Sequence, residues 1–129
     1  MVSLLIVSHS AKLAEGIQEF VGQATHNQIK IVAAGGRTDG GLGTSVDRIL
    51  DGLREAESPE GILALVDLSG AVIALETALE MYSGVPVQIS DGPIVEGAFL
   101  AGVEAASGAS LAEAAAAALQ GRELVKVQG

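Results

Sequence analysis

Four short aliphatic runs, Met1–Val7, Ile29–Ala34, Ile62–Val66 and Val85–Ile89, are each followed by a segment with helix-forming character. Parallel strands need a crossover between them, so this alternation predicts an α/β fold with an open, mostly parallel sheet and helices on both faces, three layers in all. The first run is nearly uncharged and β-branched, which suits a strand buried on both faces. Leu13, Ile17, Phe20 and Val21 mark one face of the first helix, and Val46, Ile49, Leu50 and Leu53 one face of the second. Ile73, Leu75, Ala78, Leu79 and Tyr82 form a broader stripe on the third. Residues 94–106 and 110–120 read as two further helices parted by Gly108, and Glu123–Val127 as an edge strand. No repeat or linker divides the chain, so residues 1–129 are expected to form one domain.

Ligands of open α/β sheets meet the loops beyond the carboxyl ends of the strands. The first such loop holds Ser8-His9-Ser10, in a chain with only two histidines and no cysteine. The third strand ends in Asp67-Leu68-Ser69-Gly70-Ala71. If the first and third strands are neighbours, Asp67 approaches His9. A carboxylate bonded to one ring nitrogen fixes the tautomer and leaves the other nitrogen bare, as a nucleophile or phosphoryl acceptor requires. The competing reading makes Asp67 a simple cap of the helix that follows it.

The loop after the second strand, Gly35 to Ser45, is rich in glycine and invites a phosphate-binding reading. A P-loop frame from Gly36 to Gly41 meets Leu42 where lysine belongs, and the frame Gly41-Leu42-Gly43 meets Val46 where a third glycine belongs. Both fail. Thr44 or Ser45 can still cap the next helix, whose first amides favour an anion. Asp91 reads as a turn residue, Glu96 as facing either the cleft or water, and His26 as a solvated surface histidine. One well-placed histidine without cysteine makes a transition-metal site unexpected.

Seven basic against sixteen acidic residues give a net charge of −9, which repels nucleic acid and anionic membranes but can steer a basic protein partner. No stretch approaches the roughly 20 apolar residues of a membrane span, and Ser-His-Ser follows the first run where a secretory cleavage site would stand. A cytoplasmic protein is expected.

The segment Ile6-Val7-Ser8-His9-Ser10 resembles the mannose-type IIA family of the bacterial phosphotransferase system, and within it the phosphoryl-accepting subunits of phosphoenolpyruvate-dependent dihydroxyacetone kinases. Similarity continues through Gly43-Thr44-Ser45, Leu65-Val66-Asp67-Leu68, Glu76-Thr77-Ala78-Leu79, Pro93-Ile94-Val95-Glu96-Gly97 and Ala105-Ala106-Ser107-Gly108-Ala109. Many members carry glycine before serine after the third strand, whereas Ser69 and Gly70 stand here in the reverse order.

The resemblance implies an open sheet of order 2-1-3-4, often in a homodimer. It implies that His9 takes a phosphoryl group from the carrier protein HPr and passes it to ADP on the nucleotide-binding kinase subunit. Asp67 would orient His9, leaving Nε2 as the accepting atom, with Ser10, Gly43, Thr44 and Ser69 as candidates to receive the phosphoryl oxygens. No cofactor is implied. Two alternatives stay open: a IIA domain that serves a sugar transporter through a IIB domain, and a non-catalytic flavodoxin-like binding module.

Overall fold

The computed structural model describes residues 1–128. Strands β1 (Ser3–Ser8), β2 (Ile31–Gly35), β3 (Ile62–Val66) and β4 (Val87–Ile89) alternate with helices α1 (Ala11–Ala24), α2 (Val46–Glu55) and α3 (Ser69–Glu80). Helices α4 (Ile94–Ala106) and α5 (Leu111–Leu119) follow, and a 3-10 turn spans Gln120–Glu123. The strands form one parallel sheet of order β2-β1-β3-β4. Among the described residues, no helix is long and apolar enough to cross a membrane.

Central strand β1 is buried along its whole length, because its successive side chains point into two separate cores. Leu4 and Ile6 pack with Ile17 and Val21 of α1 and with the alanines of α4 and α5. Leu5 and Val7 pack on the opposite face with Ile49 and Leu53 of α2 and Leu75 of α3. Helices α1, α4 and α5 therefore cover one side of the sheet and α2 and α3 the other. Alanine dominates the inward faces of α3, α4 and α5, which lets those helices approach the sheet closely.

Three helices start on serine caps. Ser10 Oγ accepts from the Leu13 amide, Ser45 Oγ from the Arg48 amide, and Ser110 forms a capping box with Glu113. Helix α3 instead starts after Leu68, with no side chain to cap it.

The structure departs from the sequence expectation in three places. Glu123–Val127 is not an edge strand: the 3-10 turn prolongs α5, Arg122 bonds to Asp91, and Lys126 pairs with Glu96, which ties the tail to the start of α4. Ile73 points into solvent, because the buried stripe of α3 runs through Ala71, Ala74, Leu75 and Ala78. Leu13 and Phe20 lie at the margin of α1, whose buried face is Ala14, Ile17 and Val21. Phe20 stacks there on Phe99, ring centroids 5.6 Å apart.

Candidate functional site

One residue separates the end of β1 at Ser8 from the helix cap Ser10, and that residue is His9. Strands β1 and β3 pair with Val7 opposite Val66, so the next step along each brings Ser8 level with Asp67. The Asp67 carboxylate then receives four hydrogen bonds. Its Oδ1 lies 2.9 Å from His9 Nδ1 and accepts from its neighbour's amide, Leu68, at 2.7 Å. Its Oδ2 accepts from the His9 amide at 2.9 Å and from Ser8 Oγ at 2.8 Å. The Ser8 hydroxyl in turn accepts from the Ser10 amide at 3.0 Å.

Burial by itself would push the Asp67 carboxyl up. The bonds from the His9 amide and ring, the Ser8 hydroxyl and the Leu68 amide outweigh it and hold the group below the ordinary aspartate value. An ionised carboxylate only accepts hydrogen bonds, so Nδ1 of His9 carries a hydrogen, and in the neutral ring that leaves the lone pair on Nε2. The imidazole side chain is 34% exposed and the Asp67 side chain 12%, so the ring opens to solvent while its orienting group lies beneath.

Two loops flank this ring. The Gly43 amide donates to the His9 carbonyl at 2.8 Å and the Gly36 amide to the Ser8 carbonyl at 3.1 Å, which stitches the glycine-rich loop to the end of β1. Gly43 reaches that bond at φ 136°, a conformation L side chains rarely adopt. Thr44 follows it in the chain, half-buried. On the other side, the first turn of α3 comes so near the imidazole that a Cβ at Gly70 would stand 2.9 Å from Nε2. Among the described residues no side chain caps this end of α3, which leaves the Ser69 and Gly70 amides open to an anion. A nucleophilic nitrogen, an orienting carboxylate and open helix amides can together accept a phosphoryl group and hold its oxygens.

Residues 3–115 match the model of the phosphotransferase-system fructose IIA component, EIIA-man. The chain belongs to this family. It is 37% identical over 107 residues to the phosphoryl donor subunit DhaM of dihydroxyacetone kinase 2 from Listeria innocua, covering 81% of this chain and 86% of that one. A second relative, DhaM of Klebsiella michiganensis, is 33% identical over 134 residues and covers 99% of this chain, which spans only 28% of that longer protein. The crystal structure of a protein of unknown function, EF1359, superposes with a TM-score of 0.79 at 32% identity, over 92% of this chain and 93% of that one.

Within this IIA domain the sequence-derived candidates separate clearly. His9 and Asp67 are in direct contact. Gly43 is bonded to the His9 carbonyl and carries Thr44 beside it, and Ser69 opens α3 next to the ring. Ser10 is adjacent, but its hydroxyl accepts from the Leu13 amide as the cap of α1. Ser45, not Thr44, caps α2. Asp91 is exposed and bonded to Arg122, and the Lys126 ammonium beside Glu96 holds that carboxyl below its usual range and takes up its charge. His26 is exposed on the turn after α1.

Sequence reasoning missed two contributors. Ser8 is the hydroxyl that supports Asp67, a role its place level with Asp67 across the β1–β3 pair would have suggested. Gly70 faces Nε2 so closely that a Cβ there would stand 2.9 Å from it, and only the exchanged Ser69-Gly70 order hinted at it.

Proposed function

We propose that the protein is the phosphoryl carrier of a phosphoenolpyruvate-dependent dihydroxyacetone kinase. The observation that carries this reading is the His9 Nδ1–Asp67 Oδ1 contact at 2.9 Å, which leaves Nε2 free beside the uncapped start of α3. Nε2 attacks the phosphorus of phospho-HPr; the new Nε2–P bond forms as the donor's N–P bond breaks. The positive charge that develops on the imidazole is met by the Asp67 carboxylate, and the Nδ1 hydrogen stays on Nδ1. In the second transfer a β-phosphate oxygen of ADP on the nucleotide-binding kinase subunit takes the group, the Nε2–P bond breaks and ATP forms.

Catalysis of this kind rests on positioning and charge stabilisation more than on covalent help from the protein. Asp67 supplies the first, and the Ser69 and Gly70 amides with Thr44 supply the second. Exposed Leu42 and Leu68, on the two loops that border His9, offer apolar contact to a docking carrier protein. Identity to the Listeria subunit over most of both chains supports the kinase as the downstream system.

Incubation with phosphoenolpyruvate, enzyme I and HPr should add one phosphoryl group, read by mass spectrometry. A His9→Ala protein that still acquires it would overturn the assignment. The description of the matching family model, a fructose IIA component, favours a second reading in which the group passes to a sugar-transporter IIB domain. Phosphorylated protein offered ADP-loaded kinase subunit or a IIB domain separates the two by which one it discharges to.

A further inference from the structure

The place a Cβ would occupy at Gly70 lies 2.9 Å from His9 Nε2, closer than real Cβ atoms approach a neighbour, and 3.4 Å from Cε1. The ring has little freedom to yield, because its Nδ1 and its own backbone amide are both bonded to Asp67. Any side chain at position 70 would push the imidazole off its carboxylate or stand in front of the accepting nitrogen. We infer that Gly70 is a positioning residue of the phosphoryl-acceptor site, whose missing side chain seats the His9 ring against α3 and keeps the approach to Nε2 open. This rests on the function proposed above.

The inference also gives the Ser69-Gly70 order a physical meaning. The hydroxyl stands at the exposed first position of α3, and the residue facing Nε2 is reduced to backbone. A chain with serine at the second position must seat its histidine differently. The two orders are therefore not interchangeable within this protein.

The experiment compares wild type, Gly70→Ala, the exchange Ser69→Gly/Gly70→Ser, and Gly16→Ala as a control. Gly16 lies on α1 with nothing within 4 Å of its would-be Cβ, so that control should be phosphorylated like wild type. Three measurements are made: the initial rate of phosphorylation by phospho-HPr, the imidazole nitrogen resonances of His9 in unphosphorylated protein, and the melting temperature.

Gly70→Ala should slow phosphorylation by about a hundredfold, the scale expected of a misplaced reacting group. It should also shift the His9 ring resonances while the melting temperature holds or rises, since alanine favours helix over glycine. The exchange variant should shift the same resonances. Wild-type rates and unmoved resonances in Gly70→Ala would overturn the inference. A wild-type protein that accepts no phosphoryl group at His9, with Gly70→Ala still shifting the ring resonances, would overturn the proposed function while leaving the seating role of Gly70 standing.

Discussion

The two histidines of this chain occupy contrasting turns. His9 stands between a buried parallel strand and a capped helix, with its amide and ring both bonded to Asp67 of the adjoining strand. His26 lies at the other end of α1, exposed, in the left-handed region at φ 54° beside Asn27 at the same angle. One imidazole is oriented by contacts nearly sixty residues distant in sequence. The other serves a local reversal of the chain. Residue type alone does not distinguish the two rings; the strand pairing that brings a carboxylate to one ring nitrogen does.

The comparison can be broken most decisively by removing each imidazole in turn. His9→Ala should abolish phosphorylation by phospho-HPr, whereas His26→Ala should leave the initial rate at the wild-type value. Phosphate incorporation measured for both variants decides it, and a His9→Ala protein that is still labelled would remove the distinction.

Asp67→Asn tests whether the carboxylate is what sets His9 apart. An amide in that place no longer enforces the Nδ1-protonated tautomer, so the transfer rate should fall by about a hundredfold or more while the fold persists. The nitrogen resonances of the His9 ring should report a changed tautomer in the same sample.

Acid titration sharpens the contrast further. Asp67 is held below the ordinary aspartate value in the folded protein, so its ionised form stabilises the native state. That contribution is complete above the ordinary value and is lost as pH falls through it toward the lower folded one. Denaturant midpoints followed down this window should decline more steeply for wild type than for Asp67→Asn.

The smallest expected effect belongs to the other turn. His26→Gly relieves a left-handed conformation that costs an L residue about 1 to 2 kcal/mol, partly offset by the added freedom of glycine in the unfolded chain. A gain of up to about 1 kcal/mol in unfolding free energy should appear, with phosphorylation unchanged. A loss of stability would mean that the His26 side chain contributes contacts outweighing the strain.

Much of this architecture was legible before any coordinates. Strand β3 and helix α4 fall on the residues that their aliphatic run and helical spacing marked, and the paired cores follow from the uninterrupted apolar character of β1. What misled was treating every large apolar residue as core. Ile73 and Phe20 lie outside the buried faces, because alanine fills positions that must come close to the sheet. The tail misled for a different reason: its alternating valines carry strand propensity, but ion pairs to Asp91 and Glu96 tie it to the start of α4. Among the candidates, His9 and Asp67 could be named from loop position, and Gly43 and Thr44 from the family resemblance. Ser8 and Gly70 could not, since their importance lies in a partner's position and not in their own chemistry.

Outside the tail, local pattern by itself determined which segments became strands and helices, and it put a histidine at the carboxyl end of the first strand, because hydrophobic period and capping chemistry are properties of neighbouring residues. Only tertiary structure decided that β3 lies beside β1, that four donors converge on Asp67, and that α3 closes on Nε2 through a glycine. Those are distances between residues remote in sequence, fixed by sheet register and helix packing, and no single segment contains them.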